Sequence, residues 1–162
     1  MTEMTEMTEK TDLAKLQSIS ADDMLKLENQ LCFPLYACAR KVTGKYTPFL
    51  KPLGITYTQY LVFMVLWEYG DMNVGDLCRR LYLDSGTLTP LLKKMEGKGY
   101  LRRSRCSEDE RCVNIQLTQA GMQMKEQAKD IPAKVGGCIA CLDPEEIGRL
   151  HELLQRILDA VC

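Results

Sequence analysis

The cysteines are the side chains of this sequence with the widest choice of chemistry. Eight occur in 162 residues, so the chain could bind a metal, form disulfides or react with an oxidant. Cys138 and Cys141 form a Cys-x-x-Cys pair, but there is no second such pair and His151 is the only histidine. Structural zinc sites normally need two such pairs or added histidines. We therefore expect no metal and no cofactor.

Composition indicates where these thiols reside. Charged residues make up 27% and hydrophobic residues 46% of the chain, as in ordinary globular proteins. No apolar run reaches the roughly 18 residues of a membrane span, and the Met-Thr-Glu repeat at residues 1–9 lacks the features of a secretory signal. We expect a cytoplasmic protein with no membrane partner, whose thiols are mostly reduced and whose disulfides are transient.

Cys32 has two interpretations from the residues alone. It stands between Leu31 and Phe33, where a cysteine is by default a small buried hydrophobe. Reaction with a peroxide would instead need a thiolate in an accessible pocket with hydrogen-bond donors or positive charge. Cys106 and Cys112 flank a five-residue turn and could face one another, although we expect cytoplasmic thiols to stay reduced.

The elements that must position these residues are mostly helical. Residues 1–19 are predicted to be a disordered tail. A capping signal at residues 20–23 starts a helix that runs to about Tyr46, with a kink at Pro34 or a break near residues 31–33. A connector rich in proline and glycine follows. A largely apolar, hence buried, helix spans Tyr57 to Tyr69.

The C-terminal part of the chain is also predicted to be helical. One helix runs from Thr118 to about Lys134, and two glycines follow it. Residues 143–146, Asp-Pro-Glu-Glu, form a strong helix start with Asp as the N-cap and Pro in the first turn. The last helix carries one apolar stripe, formed by Ile147, Leu150, Leu154, Ile157 or Leu158, and Val161.

Between these helices lies a helix-turn-helix pattern. Two short apolar stripes of helical spacing are separated by the turn at residues 82–86, in which Asp84 or Ser85 can cap the second helix. Strand-like segments at residues 101–106 and 112–117 then flank the polar turn 107–110, which indicates a hairpin wing. The predicted fold is mainly α with a small β wing: a winged helix-turn-helix extended by helices at both ends.

Charge is concentrated in this central part. The chain has a net charge of −1, but residues 79–111 contain nine Lys or Arg and five Asp or Glu. Such asymmetry is expected where phosphates are neutralised, although a short basic run is more often only a solvated face. With the helix-turn-helix it favours double-stranded DNA as partner. The candidate contact residues are Asp84, Ser85, Thr87, Thr89, Pro90, Lys93, Lys94, Arg102, Arg105 and Arg111.

Four blocks of sequence carry a family resemblance. Residues 31–36, 55–61, 81–95 and 107–111 resemble the MarR family, and more narrowly its organic hydroperoxide resistance regulators. The resemblance covers about residues 27–160. It implies a homodimer whose terminal helices, within residues 20–56 and 118–162, interlock. The lobe at residues 57–117 would place two recognition helices in successive major grooves of a palindromic operator.

The resemblance also implies roles for single residues. Asp109 would brace Arg111 in the minor groove. Cys32 would be the thiol that senses organic hydroperoxides, hydrogen-bonded by Tyr46 and Tyr57 of the partner subunit. We expect a sulfenic acid at Cys32 that condenses with a second cysteine from the other subunit. In the two-cysteine branch of the family the second thiol follows the Pro-containing helix, as Cys138 and Cys141 do here. The resemblance implies Cys138, the earlier of the two, with Cys141 as the alternative.

Two other functions remain open at this point. A MarR-type repressor could be released by a small phenolic ligand, and the aromatic residues of the helix 57–69 would suit such a pocket. A thiol peroxidase could use Cys32 and the Cys-x-x-Cys pair, but no thioredoxin-like βαβ pattern frames these cysteines. We therefore expect a sensor and not an enzyme.

Overall fold

The computed structural model describes residues 20–105, 112–137 and 141–161. The chain divides into two compact units, with the boundary between Val42 and Thr43. The first unit contains α1 (Ala21–Met24), a 3₁₀ helix (Leu27–Asn29) and most of α2 (Cys32–Gly44). All further elements named below belong to the second unit.

The N-terminal helix breaks, as one of the two sequence-based alternatives predicted, but earlier in the chain than the expected residues 31–33. The backbone is extended at Lys26 and Gln30, which separates α1 and the 3₁₀ helix from α2. Pro34 is the third residue of α2, so it lies in the first turn, where the missing N–H costs no intrahelical bond. Helix α2 ends at Gly44, two residues before the predicted end at Tyr46.

A short helix and a long one open the second unit. Helix α3 (Thr47–Leu50) lies where we expected an irregular connector, and Pro48 occupies its first turn. Helix α4 (Tyr57–Tyr69) has the predicted bounds. It starts with a capping box: Thr56 Oγ1 accepts from the N–H of Gln59 at 3.3 Å, and Gln59 Oε1 accepts from the N–H of Thr56 at 3.0 Å.

The helix-turn-helix consists of α5 (Val74–Leu81) and α6 (Ser85–Gly97). Asn73 caps α5 and Asp84 caps α6, each by accepting a hydrogen bond from the backbone N–H three residues later. Tyr82 ends α5 in the left-handed conformation with φ of +52°. That residue lets the chain reverse within the three-residue turn.

A three-stranded antiparallel sheet forms the wing and its base. Strands β2 (Leu101–Arg105) and β3 (Val113–Leu117) pair with Arg103 opposite Ile115. Strand β1 (Met72–Asn73) pairs with the other side of β3, so the strand order is β1-β3-β2 and β2 is an edge strand. Strand β1 was not predicted, because two residues are too few to show an alternating pattern.

The C-terminal region contains α7 (Gln119–Ala128), α8 (Ile131–Gly136) and α9 (Pro144–Val161). The prediction of one helix from Thr118 to about Lys134 is therefore wrong. Pro132 lacks the N–H that a continuous helix would donate to Ala128, and its ring would clash with that carbonyl. The helix accordingly ends at Ala128 and restarts with Pro132 in the first turn of α8.

One hydrophobic core holds the second unit together. It is built from α3 to α8 and the sheet, and its fully buried side chains include Leu50, Val62, Phe63, Leu77, Leu88, Leu92, Met95, Leu101 and Ile115. The recognition helix and the wing are thus fixed to the same core. Within the described ranges, no helix has both the length and the apolarity needed to cross a membrane.

Candidate nucleic-acid interface and redox site

The recognition helix α6 starts with a side-chain lock. Asp84 Oδ1 accepts from the N–H of Thr87 at 2.8 Å, and Oδ2 accepts from the Thr87 hydroxyl at 2.7 Å. These bonds to Thr87 lower the pKa of the Asp84 carboxyl below its ordinary value. Asp84 therefore orients Thr87 at the exposed start of the helix.

Helix α6 has one buried and one exposed face. Leu88, Leu92 and Met95 are completely buried, and Leu91 is half-buried, in agreement with the predicted apolar stripe. The other face carries hydroxyls and positive charge. Exposed on it are Ser85, Thr87, Pro90, Lys93 and Lys94, while the candidate Thr89 is half-buried.

The wing presents some of its arginines and uses another internally. Arg102 and Arg105 on β2 are exposed. Arg103 instead binds Glu96 in the last turn of α6, with 3.0 Å from its backbone N to Oε1 and 2.8 Å from its Nε to Oε2. The predicted minor-groove residues Asp109 and Arg111 lie outside the described residues.

A surface cleft separates the recognition helix from the wing. Its lining includes Gly75 at the start of α5, Ser85 and Thr89 on α6, and Arg103 and Val113 on the strands. Residues of α5, α6 and the sheet line this cleft together, although they lie in separate stretches of the sequence. Backbone and hydroxyl donors near one another, such as those of Gly75, Ser85 and Thr89, are among the groups with which proteins hold DNA phosphates.

Cys32 is exposed as the first residue of α2. Of the two interpretations, that of a small buried hydrophobe does not fit this chain, since Leu31 and Phe33 are exposed as well. The Cys32 thiol lies 3.8 Å from the side-chain oxygen of Gln30, to which it can donate.

The predicted tyrosines lie together in the second unit. The ring centroids of Tyr46 and Tyr57 are 4.9 Å apart, and Tyr60 lies 5.9 Å from Tyr46. Burial, and then the proximity of Tyr46, raises the pKa of the Tyr57 phenol above its ordinary value. Tyr57 therefore remains a hydrogen-bond donor at neutral and mildly alkaline pH.

Tyr60 belongs to this cluster but was not among the predicted site residues. It is buried, and desolvation together with its two tyrosine neighbours raises the pKa of its phenol as well. The spacing could have indicated Tyr60, because residues three apart share one helical face and Tyr57 was already a candidate.

The remaining cysteines differ in environment. Cys38 and Cys141 are exposed free thiols. Burial and the nearby Asp84 carboxylate raise the pKa of Cys78, which disfavours its thiolate. Cys112 is disulfide-bonded, contrary to the expectation that it is reduced. The other predicted thiols, Cys106, Cys138 and Cys162, lie outside the described residues.

The described part of the chain contains no cluster of three or more His, Cys, Asp or Glu side chains able to hold a metal ion.

Comparison with known proteins relates this geometry to a family. The model of the MarR family matches residues 55–113, which include α4, both helices of the helix-turn-helix and β2. The chain is 47% identical over 139 residues to the organic hydroperoxide resistance transcriptional regulator of Bacillus subtilis strain 168. That match covers 86% of this chain and 94% of the relative.

Solved structures agree with the sequence match. Reduced AbfR bound to DNA superposes with a TM-score of 0.71 at 35% identity, covering 88% of this chain and 99% of that one. AbfR, a protein of Staphylococcus epidermidis, has also been solved in a disulfide form, with a TM-score of 0.56 at 36% identity over 85% of this chain and 96% of that one. By sequence and fold, the chain belongs to the MarR family of transcriptional regulators.

Proposed function

We propose that this protein is a DNA-binding transcriptional repressor that releases its operator when an organic hydroperoxide oxidises Cys32. The observation that carries the proposal is the 47% identity, over most of both chains, to a regulator of organic hydroperoxide resistance. We place its action in the cytoplasm, as expected for a bacterial-type regulator that must reach DNA. As a transcriptional regulator it binds DNA and is not an enzyme.

The DNA-binding part of the proposal rests on the second unit. Ser85, Thr87, Lys93 and Lys94 project from the exposed face of a helix whose other face is anchored in the core. Hydroxyls and cations on such a face suit base edges and phosphates in a major groove. Arg102, Arg105 and Arg111 would add contacts from the wing, with Asp109 bracing Arg111.

The sensing step would begin at the Cys32 thiolate. Its sulfur attacks the distal oxygen of the hydroperoxide and the O–O bond breaks. The products are a sulfenic acid and an alkoxide, which takes a proton from solvent to become an alcohol. A second thiol, from Cys138 or Cys141 of the other subunit, then displaces water and forms a disulfide. The phenols of Tyr46 and Tyr57 of the partner subunit would donate hydrogen bonds to the thiolate within an apolar pocket that favours organic peroxides.

A homodimer is part of the same proposal. Helix α9 carries an apolar stripe that remains open in the single chain, with Leu150 44%, Leu154 36% and Ile157 39% exposed. Exposed apolar surface of this extent marks an interaction site. A dimer of this chain would place one recognition helix on each half-site of a palindromic operator. Leu154→Glu should give a monomer in analytical ultracentrifugation, whereas Arg156→Glu on the opposite helix face should not.

Fluorescence polarisation tests the proposal directly. The reduced protein is titrated onto a labelled duplex that it selects from random-sequence DNA, before and after cumene hydroperoxide. We expect salt-sensitive binding that the hydroperoxide abolishes and a thiol reductant restores. The Cys32→Ser variant should bind the duplex as tightly as the wild type and stay bound after hydroperoxide is added. Cys38→Ser is the control and should still be released.

Three results would refute the sensor. A Cys32→Ser protein that still leaves DNA on oxidation would remove Cys32 from the mechanism. Binding that survives hydroperoxide but is lost with salicylate would identify a ligand-released repressor. Sustained peroxide turnover without DNA binding would identify an enzyme instead.

A further inference from the structure

A carboxylate of the recognition helix binds the wing at one point outside the shared core. Glu96 in the last turn of α6 accepts the backbone N–H of Arg103 with one oxygen and the Nε–H of the same residue with the other, at 3.0 and 2.8 Å. Two bonds to one residue fix both the position of the strand and the direction of its side chain. The salt bridges of Arg79 with Asp76 and of Lys129 with Glu126 join residues three apart, whereas this one joins two different elements.

Within the described ranges, the strand that Glu96 binds has a neighbouring strand on one side only. Because β2 is the outer strand of the β1-β3-β2 order, the N–H of Arg103 points away from β3 and has no ladder partner. Glu96 supplies the missing acceptor. The pair is partly exposed, with 24% of the Arg103 side chain and 38% of the Glu96 side chain accessible, so its contribution to overall stability is small.

The main effect of these bonds is therefore on the position of β2 and not on the free energy of unfolding. Leu101 anchors the start of β2 in the core, whereas Arg105 at the far end is exposed. Arg103 lies midway, at the point where the wing leaves the core. Tying this point to α6 sets the distance and angle between the recognition helix and the outer residues of β2, Ser104 and Arg105.

We propose that Glu96 is a positioning residue for DNA recognition, which couples the wing's contacts to those of the recognition helix through Arg103. The inference rests on the proposed DNA-binding function. A wing held at a fixed angle reaches the minor groove only when the helix is seated in the major groove, so the base pairs beneath the wing contribute to sequence selection. Without Glu96 the wing still binds DNA phosphates, but its position along the DNA relative to the recognition helix is no longer fixed.

The test compares two duplexes. One is selected by the wild-type protein from random-sequence DNA; in the other, A·T pairs in the outer flanks that the wings protect in a footprint are replaced by G·C pairs. For the wild type we expect about ten-fold weaker binding to the second duplex. Glu96→Ala, which removes both bonds, should bind the two duplexes within about two-fold of each other.

Two further variants make the result specific. Glu96→Gln keeps an acceptor for the Arg103 N–H and should give an intermediate flank ratio. Glu126→Gln makes the same change in the exposed pair of Glu126 with Lys129 on α7, and should keep the wild-type ratio. The loss of a negative charge at position 96 strengthens binding to both duplexes alike, so it cancels in the ratio.

A merely structural role predicts a different outcome. Glu96→Ala would then lower the melting temperature of the protein and weaken binding to both duplexes equally. The flank ratio would be unchanged, and the positioning role would be wrong. The positioning role would also be wrong if Glu96→Gln and Glu126→Gln showed equal ratios. Failure of the wild type to bind any selected duplex would refute the proposed function itself.

Discussion

The indole nitrogen of Trp67 donates to the carbonyl oxygen of Gly121 at 3.0 Å. This bond joins α4 to α7, and it is possible because Gly121 lies against the backbone at the start of the wing. A Cβ atom at position 121 would lie 2.1 Å from the carbonyl oxygen of Tyr100. The absence of a side chain at Gly121 thus lets a helix, the half-buried indole and the base of the wing meet at one point.

Gly121→Ala should consequently destabilise the protein. The contact is with backbone, which cannot turn aside, so we expect a loss at or above the upper end of the 1–3 kcal/mol that overpacking costs, about 3 kcal/mol. Urea denaturation followed by circular dichroism measures it. Gly148→Ala is the matched control, because that helical position is open and alanine should stabilise by about 0.5–1 kcal/mol. Equal effects of the two substitutions would contradict the packing at Gly121.

The tyrosine cluster predicts a pH effect. The pKa of Tyr57 is raised, so the folded state retains its proton where the unfolded chain loses it. This contribution to stability is complete below the ordinary phenol pKa of about 10 and is lost as pH rises through the higher folded pKa. Ultraviolet titration should show Tyr57 and Tyr60 ionising after the exposed tyrosines.

Variants assign the causes of that shift. Tyr57→Phe should remove one late-titrating phenol. Tyr46→Phe should lower the pKa of Tyr57 only part of the way, because burial is the larger cause and Tyr46 the smaller one. If Tyr57 of the wild type titrates together with the exposed tyrosines, the cluster of Tyr46, Tyr57 and Tyr60 is open to water.

The cap of the recognition helix predicts a second pH effect and a binding effect. Hydrogen bonds from Thr87 lower the pKa of Asp84, so its stabilising contribution is present above the ordinary carboxyl pKa and disappears as pH falls through the lowered value. Asp84→Ala should weaken DNA binding by fraying the start of α6. Asp84→Asn keeps an oxygen for the N–H of Thr87 and should retain most of the affinity, as polarisation titrations would reveal. Equal losses in both variants would mean that the charge, not the cap, matters.

The second thiol can be identified by crosslinking. After treatment with cumene hydroperoxide, non-reducing electrophoresis of the wild type should show a crosslinked dimer that a reductant converts to monomer. A Cys138→Ser, Cys141→Ser double variant should remain monomeric on the gel, and the single variants should show which thiol is used. Mass spectrometry of the oxidised double variant should find Cys32 as a sulfenic or higher acid. A crosslinked dimer in the double variant would exclude both cysteines as partners.

Local sequence patterns determined much of this protein. The caps at Thr56, Asp84 and Asp143 and the apolar spacing of α4, α5 and α6 are interactions among residues within one or two turns, so a single stretch of sequence contains both partners. For the same reason the exposed cationic face of α6 was predictable. The break in the N-terminal helix and the restart at α8 depend on how proline fits each turn, and only one of these breaks was foreseen.

Tertiary structure decided the rest, because the partners are distant in sequence or belong to different elements. Only the folded chain pairs β1 with β3, packs Tyr46 against Tyr57 and Tyr60, and exposes Cys32 at a helix start. It also separates arginines that look equivalent in sequence: Arg102 and Arg105 face solvent, whereas Arg103 binds Glu96. The contact of Gly121 with Tyr100 is of the same kind, since no local pattern shows that two backbones must approach so closely.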